Sequence, residues 1–358
     1  MTGIRRFASI TAALCATLAL ATGCAATAPP PAPSPSDSPP PPPAAAADVR
    51  VAALNGPTAM GMAKMITDAR AGTTAAADAN RYDFALIAAP DEVVAKIVGG
   101  EVDIAAIPAN LASVLYAKLK GDLQVLNVNT LGVLSIVGTG NSEITENPAE
   151  AGDFPSMTVK ELRGKTLCAA GKGAVPEYAL AYLLEKNGLD IAKDVDIQWV
   201  PEHAACLALL TENVETLAML PQPFATAASA KIPDLAVQID LTKAWNEVNP
   251  DSQMLTGVTV VRKAFAQEHP EAVSSFLSTY LASVNFTNND VAAAAALIGG
   301  LKIVDAEVAE EAIPECNIVF ITGTDMKKDL SGFLTVLHGV NPAAVGGALP
   351  GDDFYFGA

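Results

Sequence analysis

The sequence predicts an α/β protein made of two lobes. Three observations carry that expectation. Strand-like and helix-like segments alternate from Val49 onward, and the alternation restarts after a polar stretch at 138–156. About 310 residues follow Asp48, more than one small domain needs and enough for two. Two apolar runs without internal charges, 131–137 and 257–261, leave the first unit and end the second, as strands passing between lobes do.

The first unit opens with a strand at 49–54, turns at Asn55-Gly56-Pro57-Thr58, and continues as a helix to Ala69. Residues 82–88 read as a strand, 90–98 as a helix led by Pro90, and 103–107 as a strand. Pro108-Ala109-Asn110 turns the chain into a helix over 111–119, and 123–127 is a further strand. In the second unit the strands fall at 165–170, 195–200, 216–220 and 235–239, with helices at 175–186 and 203–212. The last third is mostly helical, at 270–286, 290–298 and 325–338, with one strand at 317–321. Strand, helix, strand in this rhythm predicts parallel pairing with right-handed crossovers. The lobes are expected at 48–137 plus 257–358, and at 138–256 as an insertion.

The first fifty residues are of another kind. Arg5 and Arg6 precede an apolar run over 7–21, which closes on small residues directly before Cys24. A basic head, an apolar stretch and small residues at the cut describe a secretory signal over 1–23. The small residues ahead of Cys24 make it resemble a bacterial lipoprotein signal, in which that cysteine becomes the lipidated first residue. Ala21 stands where the usual leucine would, with Leu20 one place earlier. The apolar run is too short for a permanent membrane span. Residues 24–47, rich in Ala and Pro, read as an extended spacer without a core.

Composition excludes several classes. Hydrophobic residues are 51% of the chain, ample for a core, so the body is not disordered. The net charge is −17, and it becomes more negative when Arg5 and Arg6 leave with the signal. So acidic a body does not suit a phosphate backbone or an anionic membrane surface, and its acidity reads as solubility. Cys168, Cys206 and Cys316 remain in the body, an odd number that rules out complete pairing. A Cys168–Cys206 bridge is open, but burial as small apolar side chains is the favoured reading.

In open α/β sheets ligands sit beyond the carboxyl ends of strands. That rule nominates Asn55, Gly56 and Thr58 after the first strand, Asn110 after the third and Thr130 after the fourth. It also nominates Lys172 and Gly173 in the loop 171–177, and Gln222 in Pro221-Gln222-Pro223-Phe224. Thr58 and Asn110 are also N-cap candidates, and each loop alone serves equally as a turn. The positive helix end and free backbone N–H groups at 171–177 suit an anion or a carbonyl. His203 lies at a helix start within reach of the cleft, or simply meets solvent there. Trp199 and Trp245 read as core or hinge residues, with Trp245 able to stack on a ring.

Sharper motifs fail. Pro176 stands where a dinucleotide fingerprint needs its third glycine, and Val159 where a phosphate loop needs its first. No Gly-x-Ser-x-Gly elbow occurs, and His203, His269 and His338 lack metal-ligand spacing. No catalytic residue, metal or cofactor is therefore expected. Beyond the signal the arginines are Arg50, Arg70, Arg81, Arg163 and Arg262, none of them in the nominated loops. A bidentate clamp for a carboxylate or phosphate is excluded on that ground. The ligand is neutral, heteroaromatic, or an anion held by helix N-termini.

These residues resemble the ABC-transporter substrate-binding proteins of the nitrate/sulfonate/taurine and thiamine-pyrimidine-precursor type. The carriers are Leu54-Asn55-Gly56-Pro57-Thr58, Gly100-Glu101-Val102-Asp103-Ile104-Ala105-Ala106-Ile107-Pro108, Glu161-Leu162-Arg163-Gly164-Lys165-Thr166 and Leu220-Pro221-Gln222-Pro223-Phe224. Gln222 stands where many such proteins carry an acidic residue, which argues against a cationic ligand. The resemblance implies a type II periplasmic-binding-protein fold whose two lobes close on a small-molecule ligand. It further implies a monomer on the extracytoplasmic face of the cell membrane, held by its lipid anchor and serving an ABC permease and a cytoplasmic ATPase, with no nucleic-acid partner. An enzyme on the same fold, such as a thiamine-pyrimidine synthase or small-molecule lyase, and a lipid-anchored sensor for a membrane receptor are the alternatives.

Overall fold

A computed structural model describes residues 46–74, 78–139, 157–212 and 216–358. The signal, Cys24 and nearly all of the tether lie outside the described residues. β1 (Asp48–Leu54) leads through α1 (Pro57–Met60) and α2 (Ala63–Ala71) to β2 (Arg81–Ile87), followed by α3 (Pro90–Gly99), β3 (Ile104–Pro108), α4 (Ala109–Lys118) and β4 (Leu123–Leu131). Next come β5 (Leu134–Thr139), β6 (Thr166–Ala170), α5 (Val175–Lys186), β7 (Asp196–Val200), α6 (His203–Glu212), β8 (Leu217–Pro221), α7 (Phe224–Ser229), β9 (Leu235–Asp240) and α8 (Leu241–Val248). The chain returns as β10 (Leu255–Arg262), α9 (Lys263–Glu268), α10 (Pro270–Asn289), α11 (Val291–Gly300), α12 (Ala306–Ala312), β11 (Ile318–Ile321) and α13 (Gly323–Val340).

Local chemistry explains many of the boundaries. Proline opens α3, α5 and α10, where a missing N–H costs nothing. Asp240 caps α8 by accepting the N–H groups of Thr242 at 2.9 Å and Lys243 at 3.1 Å. Gly100 ends α3 in the left-handed conformation, at φ 71°.

The strands form two sheets, ordered β11-β4-β10-β3-β1-β2 and β7-β6-β8-β5-β9. β1 runs parallel to β2 and β3, and β6 parallel to β7 and β8, as the alternation predicts. The sheets are nevertheless mixed. β10 is antiparallel to both β3 and β4, and β5 to both β8 and β9. Each is a strand the chain lays down as it passes between sheets, so it enters against the direction of its neighbours. The outward passage is at Gly132–Val133, inside the apolar run 131–137, and the return lies between α8 and β10.

The first sheet is buried on both faces. Val49, Val51 and Ala53 of β1 join one apolar cluster with α2 and α10, while Ala52 and Leu54 join another with α4 and α13. That second cluster continues into the second sheet and its helices without a break. Its centre is a stack of rings from three helices: Tyr182 of α5 lies 4.7 Å from Trp245 of α8, and Trp245 lies 5.6 Å from Phe333 of α13. Trp245 is fully buried and its indole N–H donates to the Ser252 carbonyl at 3.1 Å. It is a core residue joining the two sheet systems, with no face left for a ligand.

The favoured reading of the cysteines is overturned. Cys168 of β6 and Cys206 of α6 form a disulfide, and Cys316 is free and buried. The strand–helix crossover brings positions 38 residues apart into contact, which sequence counting does not reveal.

The passage at Gly132 is sterically tight. A Cβ there would lie 2.2 Å from Thr242 Oγ1 and 2.6 Å from Met254 Cε. Asn317 Nδ2 donates to the Gly132 carbonyl at 2.6 Å, and the Gln222 N–H donates to the Val133 carbonyl at 2.9 Å. Gly132→Ala is expected to destabilise the protein by about 1–3 kcal/mol through overpacking. Adding Thr242→Ala should restore part of that loss, read from urea midpoints. Trp245→Ala should cost about 3–5 kcal/mol by the same measurement.

Candidate functional site

The nominated loops meet at the outward passage. Pro108, ending β3, pairs with Gly257 of β10, and Gly257 pairs with Thr130 two residues before Gly132. Pro221, ending β8, pairs with Leu134 just after Val133. The carboxyl ends of parallel strands from both sheets thus flank one short segment, the place where α/β sheets hold ligands. α7 also packs against α12, bringing a helix of the second sheet onto one of the first.

On the first-sheet side, Asn55 is exposed and its N–H donates to the Ile87 carbonyl at 2.9 Å. Gly56, at φ 117°, is the N-cap of α1, a backbone conformation that favours glycine. Thr58 therefore does not cap the helix. It is buried, its hydroxyl donates to the Leu54 carbonyl at 2.8 Å, and its methyl faces Gly257. A Cβ at Gly257 would lie 2.4 Å from that methyl and 2.5 Å from Asn129 Oδ1. Thr130, also buried, donates to Asn129 Oδ1 at 2.9 Å, and Asn129 Nδ2 donates to Thr259 Oγ1 at 3.1 Å. Thr58, Thr130, Asn129 and Gly257 thus converge beside the passage.

Asn110 is placed differently. α4 begins at Ala109 with Pro108 as its N-cap, so Asn110 is not the cap. Its amide donates to the Ala344 carbonyl at 3.1 Å, and Ser113 donates to the Val345 carbonyl at 2.7 Å. Asn110 ties the C-terminal segment to α4 with at least one of its donors.

On the second-sheet side, Lys172 and Gly173 are exposed. Gly173 sits at φ 77°, and its N–H donates to Glu177 Oε2 at 2.5 Å. Gln222 is buried, with its side-chain oxygen accepting from Thr226 Oγ1 at 2.8 Å. The residues that stand out here are ones sequence reasoning weighed without nominating. Phe224 is 42% exposed and opens α7. His203 opens α6, with its ring centroid 5.3 Å from that of Phe224. His203 Nδ1 is buried without a protein partner, and burial pushes the imidazole pKa down. The available signal was positional: each is the first residue of a helix that closely follows a strand of the second sheet.

Among the described residues no group of three His, Cys, Asp or Glu side chains is placed to hold a metal. No described helix is long and apolar enough to cross a membrane. A cavity of about 500 Å³ lies between α2 and α10, lined by none of the nominated residues. Its polar walls are internally engaged, through Lys64 with Asp68 and Asp78 with Tyr82 and Thr279.

Comparison with known proteins follows this geometry. No curated protein matches the sequence. An ABC transporter protein of Parabacteroides distasonis superposes with a TM-score of 0.69 at 20% identity, covering 86% of this chain and 98% of that one. The periplasmic aliphatic sulphonate binding protein SsuA of Escherichia coli gives 0.62 at 16% identity, covering 86% and 92%. The alkanesulfonate-binding protein SsuA of Xanthomonas axonopodis pv. citri, bound to MOPS, gives 0.60 at 13%, covering 85% and 94%. The fold is therefore that of the periplasmic binding proteins, with two α/β lobes. The model of the NMT1-like family matches residues 50–299, well over half of the sequence. The chain belongs to the NMT1-like family.

Proposed function

We propose that this is a lipid-anchored solute-binding protein of the extracytoplasmic face. It captures a small organic or anionic solute between its lobes and hands it to the permease of an ABC importer. The observation that carries the reading is the convergence of strand ends from both sheets on Gly132–Val133. A solute seated there touches both lobes at once, and gains most contacts when they close. The lobes would divide at that passage and again between α8 and β10, with the second lobe inserted in the first. Asn55, Gly56, Thr58 and Thr130 would line the first-lobe side, with Asn110 at its margin, and Lys172, Gly173 and Gln222 the second.

Two further features support export. The Cys168–Cys206 disulfide suits an oxidising compartment. The leader ends at a cysteine followed by a proline-rich spacer, and a lipid on Cys24 would keep the body near its permease.

Two outcomes test the proposal. Wild-type protein should fractionate with membranes, and Cys24→Ser should move it to the medium; a soluble wild type contradicts the anchor. Cells lacking the protein should lose uptake of whichever solute co-purifies with it. Unchanged uptake contradicts the transport role.

A further inference from the structure

The loops at the passage differ in what they have already used. An anion at the start of α5 would seek backbone N–H groups. Gly173 gives its N–H to Glu177 Oε2 at 2.5 Å, Ala174 to the Gly171 carbonyl at 3.1 Å and Glu177 to the Ala174 carbonyl at 3.1 Å. Pro176 has none. A carboxylate of the protein's own therefore sits at the positive end of the helix. α7 is similar, with the Thr226 N–H on Gln222 Oε1 at 3.3 Å and the Ala227 N–H on the Pro223 carbonyl at 3.0 Å. The first turn of α3 carries Asp91 and Glu92, both exposed. Lys172 is the one basic residue in these loops, and its exposure leaves its charge to water.

His203 and Phe224 offer different chemistry. Phe224 presents an aromatic face to solvent beside a helix of the opposite lobe. His203 Nδ1 is sealed and unpartnered, which places the ring proton on Nε2, because an orphaned donor there would cost more than an orphaned lone pair. The half-exposed remainder of the ring then carries one hydrogen-bond donor. Cys206, one helical turn beyond His203, is bonded to β6 and holds the start of α6 in place.

We propose that the second-lobe wall selects an uncharged flat ring bearing a hydrogen-bond acceptor. The ring stacks on Phe224 and accepts from His203 Nε2, while Glu177 turns anions away by occupying their cradle. This rests on the capture reading above and narrows its ligand. It also separates this protein from the sulfonate binders that share its fold.

The test titrates the purified protein with two sets of probes, followed by thermal shift and calorimetry. The uncharged rings are cytosine, nicotinamide and benzamide; the anions are methanesulfonate, nitrate and sulfate. Wild type should respond to at least one ring and to no anion. Phe224→Ala and His203→Ala should each weaken ring binding roughly tenfold, with Phe224→Tyr retaining it. Glu177→Ala should gain a response to methanesulfonate. A wild-type response to anions alone overturns this inference and leaves capture standing. Silence toward every probe overturns the inference as well, and a protein that also co-purifies with no solute argues against capture itself. Ring binding indifferent to Phe224→Ala, or Glu177→Ala silent to methanesulfonate, contradicts the assigned roles.

Discussion

The structure turns on the close approach at Gly132. The chain leaves the first sheet, passes two residues and enters the second, and Thr242 and Met254 press on the point where it crosses. Only hydrogen fits on that Cα without displacing its neighbours. The carbonyls on either side are held from opposite lobes, Gly132 by Asn317 and Val133 by the Gln222 N–H. The passage is consequently a fixed point rather than a loose linker, and both sets of strand ends take their positions from it.

The ring stack of Tyr182, Trp245 and Phe333 complements that point. It lies among helices of both sheets, inside an apolar cluster that never separates into two. Burial of three large rings resists separation of the lobes far more than a polar contact would. The opposite surfaces, carrying Thr58, Gly173 and Phe224, have no comparable seam among the described residues. In the functional reading, one side is joined permanently and the other is joined by the solute.

Much of this was legible in the residues. The helix over 175–186 and the strand beginning near Val49 follow from periodicity, Pro176 and turn chemistry that act within a few positions. What escaped depends on distant partners. β10 looks like any apolar strand, and its antiparallel place between β3 and β4 follows only from the return of the chain. Asn110 reads as a helix cap until its partner proves to be Ala344, 234 positions away. Thr58 loses the capping role because Gly56 tolerates a φ of 117° and caps first. The disulfide was obscured by an odd cysteine count, with Cys316 the unpaired third. Glu177 was understood as a dipole partner, but its contact with Gly173 requires the loop's left-handed glycines to be seen in place.

The central claim is that a solute joins two lobes about the Gly132–Val133 passage. Small-angle X-ray scattering of the purified protein, with and without saturating co-purified solute, tests it most directly. The account predicts a smaller radius of gyration when the solute is bound. An unchanged radius at demonstrated saturation would contradict it.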